Sequence, residues 1–138
     1  MKFFIPFVAA VAAVASASAI PQAQELETRQ FSGSESGQGT YFYPGLGACG
    51  ITNSNTDLIA AVSTTIFDTY PGYTGTNPNN NPICGHRVAV NYGGRSVTVA
   101  ITDRCYSCAE FDLDLSPSAF SDLADQSLGR IPITWTWL

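Results

Sequence analysis

The stretch that decides the fold is residues 84–116, CGHRVAVNYGGRSVTVAITDRCYSCAEFDLDLS. Val88 and Val90 alternate with Arg87, Ala89 and Asn91, and Val97, Val99 and Ile101 alternate with Ser96, Thr98 and Ala100. Between the two runs stands Gly93-Gly94, a pair able to adopt positive φ. A period of two on both sides of such a pair specifies a two-stranded hairpin with one apolar face. Carried forward by the same period, Asp103 falls on the face of Val97, Val99 and Ile101, a carboxylate at the end of an apolar row. An acid cluster follows, with Glu110, Asp112 and Asp114 after Asp103.

Outward from this stretch, the chain divides into three parts. Residues 1–19 have the form of a secretory signal: Lys2, an almost wholly apolar run over 3–14, and Ala17-Ser18-Ala19 as a small-x-small cleavage site. The apolar run is too short to span a bilayer, so the expected product is secreted, extracellular and soluble. Residues 20–38, IPQAQELETRQFSGSESGQ, carry few apolar anchors and read as a disordered leader or propeptide, with Arg29 as a processing position. Residues 39–138 then suffice for one small domain, expected to be monomeric. All four cysteines, Cys49, Cys84, Cys105 and Cys108, lie in that part. Export makes disulfides their expected state, and three connectivities are open on sequence alone.

The chain carries a formal charge of −5, and Lys2 is its single lysine. An acidic surface of this kind excludes nucleic acid and anionic membranes as natural partners. There is no N-x-Ser/Thr sequon.

The remaining segments supply short elements. Thr40-Tyr41-Phe42-Tyr43 is an aromatic strand ending at Pro44-Gly45, and Cys49 sits in a glycine-rich turn. Residues 57–63, DLIAAVS, fit either a buried strand or a helical turn, and residues 66–70 are expected as a strand. Residues 71–82, PGYTGTNPNNNP, read as a long exposed loop whose contact groups are Tyr73 and the adjoining Tyr70. Ser116-Pro117 opens a helix with Ser as N-cap and an apolar face of Phe120, Leu123 and Ala124, ending near Gly129. Ile131, Ile133, Trp135 and Trp137 alternate with polar residues as a last strand. Six short strands with one or two short helices point to a closed, mainly β barrel without free edges.

Five motifs in order carry a resemblance: G-T-Y-F-Y-P-G-x-G-A-C-G at 39–50, D-L-I-A-A-V-S at 57–63, C-G-H-R-V-x-V at 84–90, V-x-I-T-D-R-C at 99–105 and D-L-S-P-x-A-F at 114–120. Together they resemble the rare-lipoprotein-A-like double-psi β-barrel family, which includes barwin, the first domain of expansins and expansin-related endoglucanases. The resemblance implies a six-stranded, disulfide-stapled double-psi β-barrel with a polysaccharide groove across one side. It also implies a Cys49–Cys84 pair and a local Cys105–Cys108 pair. Read bottom-up, Cys105-x-x-Cys108 is half of a zinc site, but the second short pair that such a site uses is missing, so neither a metal nor another cofactor is expected.

Cleavage of a glycosidic bond needs two carboxyl groups, one protonated and one ionised. The resemblance makes Asp114 the match of the endoglucanase acid and Asp103 the match of the transglycosylase aspartate. Both catalytic pairs are incomplete: Ala60-Ala61-Val62-Ser63 stands where transglycosylases have Ala-Ala-His, and residues 40–43 lack the endoglucanase base. The competing role for Asp103 and Asp114 is to accept backbone hydrogen bonds in tight loops, with Arg104 as an ion partner. Glu110, Asp112 and Asp68 read as solvated. Tyr41, Tyr43, Tyr92, Tyr106 and Trp135 offer rings to stack on sugars, or pack the core.

The expected groove comprises Thr40, Tyr41, Tyr43, Asp103, Tyr106, Asp112 and Asp114. The expected function is binding of cell-wall polysaccharide without efficient hydrolysis. The alternative is binding of a secreted or host protein, since small barrels of this family include inhibitors of papain-like cysteine proteases and defence or effector proteins. The 71–82 loop is the feature that motivates it. A lytic enzyme is a third reading.

Overall fold

The computed structural model describes residues 31–138, so the expected signal over 1–19 and the leader up to residue 30 lie outside the described residues. Six strands, β1 (Ser34–Tyr41), β2 (Ile59–Ser63), β3 (Arg87–Tyr92), β4 (Arg95–Cys105), β5 (Leu113–Leu115) and β6 (Ile131–Trp137), close into a barrel in the order β1-β5-β2-β4-β3-β6. The helices are α1 (Thr64–Thr69) and α2 (Pro117–Leu123).

The hairpin forms as its alternation requires. β3 and β4 pair antiparallel from Tyr92↔Arg95 to Arg87↔Ala100, and Gly93 and Gly94 take φ of 53° and 82° at the turn. Both values belong to the left-handed region that matches strand twist and favours glycine. Val88, Val90, Val99 and Ile101 fill the barrel with Leu113, Leu115, Ile131, Ile133 and Trp135. Trp135 is fully buried, and its indole nitrogen donates to the Phe111 carbonyl at 2.9 Å, so the ring belongs to the core and not to a sugar platform.

Three sequence expectations are corrected. β1 begins at Ser34, inside the segment expected as leader up to residue 38, and pairs with β6 from Ser34↔Thr136 to Gly39↔Ile131. Its alternation is hard to read because glycines occupy positions where a side chain cannot fit. A Cβ on Gly37 would lie 2.1 Å from the Phe111 carbonyl oxygen. Residues 66–70 belong mainly to α1 and not to a strand. Ser63 caps that helix by accepting from the Ile66 amide at 3.2 Å, and Ile66 and Phe67 are completely buried. Tertiary burial of that pair outweighs the β preference of the segment.

The third correction concerns Asp103. β2 and β4 pair in parallel, Ala60 with Ile101 but Ala61 with Asp103, so Thr102 is an extra residue in β4. Such a bulge reverses side-chain parity beyond it. Asp103 therefore leaves the inward row of Val97, Val99 and Ile101 and shares the outward face of Ala61.

The undecided stretch at 57–63 is strand from Ile59 onward and buried throughout. Ser116 caps α2 by accepting from the Ala119 amide at 3.3 Å, and Phe120 and Leu123 bury its apolar face. The helix stops at Leu123, and a 3-10 turn over Gln126–Leu128 carries the chain to Gly129.

Candidate functional site

Four neighbouring strands bring four residues into one row. Thr40 on β1 pairs with Asp114 on β5, Asp114 with Ala61 on β2, and Ala61 with Asp103 on β4. Leu113 and Leu115 point inward on either side of Asp114, which fixes its carboxylate on the outer face. Adjacent strands lie about 4.8 Å apart, so the backbones carrying Asp103 and Asp114 are about 10 Å apart with only a methyl group between them.

Each carboxylate is held by one oxygen. Asp114 Oδ1 accepts from the Thr40 hydroxyl at 2.9 Å. Asp103 Oδ1 accepts from the Ala48 and Arg104 amides, both at 2.8 Å. Among the described residues the Oδ2 atom of each has no hydrogen-bond partner. Burial pushes the Asp114 pKa above the ordinary aspartate value; the Thr40 hydrogen bond opposes this, the Asp103 charge adds to it, and Arg130 opposes it again. A half-buried acid with a raised pKa beside a second carboxylate is able to donate and accept hydrogen bonds toward hydroxyl groups.

The partners that would complete known chemistry are absent from this row. Thr40 stands on β1 with a hydroxyl where an acid would be needed. Val62, at the place of the transglycosylase histidine, is sealed inside the barrel at 0% exposure. The single histidine of the chain, His86, bonds through Nδ1 to the Tyr70 hydroxyl at 3.1 Å and packs edge-on against Trp137, away from the row. Among the described residues no cluster of three or more His, Cys, Asp or Glu is arranged to hold a metal ion.

The other expected groove residues separate. Tyr43 and Tyr106 are open to solvent, at 71% and 78% exposure. Tyr41 packs its ring 4.9 Å from Phe120 and presents an edge to Tyr43. Asp112 has both oxygens occupied, accepting from the Gln38 amide at 2.9 Å and the Ala109 amide at 3.0 Å. It clamps the 109–112 turn to β1 and is not solvated as a free acid. Asp68 pairs with Arg104 at 2.7 Å, so Arg104 serves Asp68 and not Asp103 as its ion partner. The Arg104 guanidinium also lies over the Phe67 and Tyr106 rings, each 5.1 Å away.

The 71–82 loop is less free than its composition implies. Tyr73 packs edge-on against Phe67, and buried Asn81 bonds the Phe67 carbonyl and the Ile83 amide. Tyr70 lies among Phe31, His86 and Trp137.

A second surface escaped the sequence reading apart from Tyr43, a residue of the expected groove. Tyr43, Leu46, Ile51 and Leu58 are all exposed large apolar residues, and all four lie in the connection between β1 and β2. That connection is rigidly held: Cys49 is bonded to Cys84, the Cys49 amide donates to Thr102, the Gly47 amide to Ile51 and the Asn53 amide to Gly45. Asp103 adds its bond to Ala48, so one member of the acid row also braces this loop. An apolar residue outside the core looks in sequence like one inside it, and no period of two or of 3.6 distinguishes these four. The second disulfide, Cys105–Cys108, closes the turn after β4.

Comparison with known proteins agrees with this architecture. The family model described as lytic transglycolase matches residues 34–135. The chain is 39% identical over 107 residues to the papain inhibitor of Streptomyces mobaraensis, covering 74% of this chain and 70% of that protein. It is 33% identical over 100 residues to an Allergen Asp f 7 homolog of Arthroderma benhamiae, covering 72% of this chain but 31% of that protein. The solved Streptomyces papain inhibitor superposes with a TM-score of 0.68 at 35% identity, covering 76% of this chain and 94% of that one. An expansin of Clavibacter michiganensis in complex with cellohexaose superposes with a TM-score of 0.62 at 24% identity, covering 76% of this chain and 50% of that one, a likeness of fold. With its six strands closed into one barrel and its match running over residues 34–135, the chain belongs to the double-psi β-barrel family whose model is described as lytic transglycolase.

Proposed function

We propose that this protein is a secreted protein-binding module that occludes papain-like cysteine proteases. The observation that carries the reading is that Tyr43, Leu46, Ile51 and Leu58 are all exposed on one disulfide-anchored connection. Exposed apolar side chains grouped on a braced loop are the usual form of a protein contact. Because the loop is already ordered, little conformational entropy is lost on binding. The likeness to the Streptomyces papain inhibitor over 94% of that chain supports the choice of target class. Two disulfides and the export-type N-terminal sequence suit an extracellular site of action. The contact surface moves from the 71–82 loop, which carries no exposed large apolar residue, to the β1–β2 connection.

The test is inhibition of active-site-titrated papain, with Leu46→Asp and Tyr43→Ala as variants. The expected result is saturable inhibition that each variant weakens by at least about tenfold. Absence of inhibition of papain and its relatives overturns the reading.

A second reading, binding of cell-wall polysaccharide along the carboxylate row, is favoured by the Oδ2 atoms of Asp103 and Asp114, neither of which has a hydrogen-bond partner among the described residues, and by exposed Tyr43 and Tyr106. Co-sedimentation with cellulose, chitin or peptidoglycan that is lost in Asp114→Ala supports it. Failure to co-sediment with all three overturns it.

A further inference from the structure

The connection between β1 and β2 holds a small two-stranded ribbon of its own. Leu46 and Thr52 form an antiparallel bridge. The Gly47 amide donates to the Ile51 carbonyl and the Asn53 amide to the Gly45 carbonyl, each at 3.0 Å. These two bonds join the residues on either side of the bridge, so Leu46 and Thr52 are a non-hydrogen-bonded pair, in which the N–H and C=O of each residue point away from the opposite strand. Leu46 therefore turns its backbone donor and acceptor to the outer edge of the ribbon. Among the described residues neither group has a hydrogen-bond partner.

Three features suit this edge to receiving a strand. It is accessible: Leu46 is 75% exposed and stands between Gly45 and Gly47, which have no side chains to screen the backbone. A Cβ built on Gly45 would meet nothing within 4 Å. The edge is also fixed in place, because the chain turns into the barrel directly after it. The Gly47 carbonyl accepts from the Gly50 amide at 2.9 Å, Asp103 holds the Ala48 amide, the Thr102 carbonyl holds the Cys49 amide at 3.2 Å, and Cys49 is bonded to Cys84. An edge already ordered loses little entropy when a strand is added to it. Finally, the edge is one residue long, since the Gly45 carbonyl and the Gly47 amide are spent inside the ribbon. A long free edge is a template for a second copy of the same chain, whereas one donor and one acceptor beside a projecting leucine suit a partner that takes in a short extended segment. A protease cleft is such a partner: to accept many sequences it must hold the chain through the backbone groups that all residues share, as an added strand.

We propose that Leu46 enters the substrate cleft of a papain-like cysteine protease as an added strand, its N–H and C=O pairing with an extended backbone segment of the cleft wall while its side chain fills an apolar subsite. This rests on the protease reading above and adds the mode of binding, which is backbone pairing and not side-chain contact alone. Because the chain turns inward after Gly47, no extended backbone runs on past Leu46 as a substrate chain would.

The experiment is amide hydrogen exchange, read by NMR, in the free protein and in its complex with papain, together with inhibition by two variants. The Leu46 amide is expected to exchange fast in the free protein and at least about tenfold more slowly in the complex. The Gly47 amide, bonded to Ile51 in both states, is the internal reference. Leu46→Pro removes the free N–H and keeps an apolar side chain, whereas Leu46→Ala keeps the N–H and removes most of the side chain. Leu46→Pro is expected to weaken inhibition at least about tenfold more than Leu46→Ala does. Slow exchange at Gly47 in Leu46→Pro reports an intact ribbon; where it is lost, the exchange of Leu46 in the parent protein decides. Inhibition of papain with Leu46 exchange unchanged, or Leu46→Pro inhibiting as well as Leu46→Ala with the ribbon intact, overturns the proposal and leaves the protease reading standing. Slow exchange at Leu46 that grows with protein concentration and needs no papain assigns the edge to a second copy and also overturns it. Absence of inhibition by the parent protein overturns both.

Discussion

Asp103 and Asp114 face the same side of the barrel because each is the register partner of Ala61, one in a parallel pair and the other in an antiparallel pair. Ala61 is only 3% exposed and keeps the acids apart by a single methyl group. The Asp103 charge adds to the upward shift that burial imposes on the Asp114 carboxyl.

The Asp114 pKa responds to its neighbours in opposite directions. Removing the Asp103 charge in Asp103→Asn lowers it, and removing the Thr40 hydroxyl in Thr40→Val raises it further. Carboxyl-carbon NMR titration of the three proteins reads both signs. An unchanged Asp114 titration in Asp103→Asn would show that the two acids are not coupled.

Stability follows from the same shift. The folded pKa of Asp114 lies above its unfolded value, so its contribution to stability is present below the unfolded pKa and is lost as pH rises through the folded one. Asp114→Asn removes that loss while its side-chain oxygen still accepts from Thr40. Its Tm should exceed that of the parent at neutral pH, and the difference should shrink as pH falls below the ordinary aspartate range. Thermal unfolding across pH measures it.

The two disulfides differ in the loop they close. Cys49–Cys84 spans a sequence separation of 35 and Cys105–Cys108 one of 3. Chain-entropy arguments give about 4 kcal/mol for the first and about 2 kcal/mol for the second. Denaturant unfolding of the paired Cys→Ala variants should rank them in that order. The first variant should also lose papain inhibition, because it frees the loop bearing Leu46.

Gly37 is required by space. Gly37→Ala sets a Cβ against the Phe111 carbonyl and should cost about 3 kcal/mol, since backbone on both sides must move. Gly45→Ala, with nothing within 4 Å of the added atom, is the matched control and should leave Tm nearly unchanged.

Ser63 and Ser116 both cap helices, and both are buried. Ser116→Ala should cost about 1 kcal/mol for the lost cap. Ser63 also donates to the Glu110 carbonyl at 2.7 Å, so Ser63→Ala should cost more, about 2 kcal/mol. Urea midpoints of the two variants check the order.

Where residues alternate strictly, local pattern was enough. The β3–β4 hairpin, β6 and the Ser116-Pro117 helix start follow from apolar periodicity, from φ freedom at Gly93-Gly94 and from one capping side chain, all of which act between near neighbours. The resemblance of five short motifs carried the barrel and both cysteine pairs. The start of β1 was not legible, because Gly37 and Gly39 are small to admit atoms from Phe111 and Ile133, residues far away in sequence. The helix at Thr64–Thr69 was not legible because burial of Ile66 and Phe67 overrides a β-prone composition.

The site divides in the same way. That Asp103 and Asp114 are acids near the ends of strands was determined by the sequence alone. That they share a face was decided by the tertiary structure, through an extra residue at Thr102 that reverses parity in β4 and through the parallel pairing of β2 with β4 and its antiparallel pairing with β5, which set both acids beside Ala61. The exposure of Tyr43, Leu46, Ile51 and Leu58 likewise exists only once the barrel closes. A chain's own periodicity reports which side of a strand a residue occupies; which strands become neighbours, and what is left uncovered, depends on contacts between residues distant along the chain.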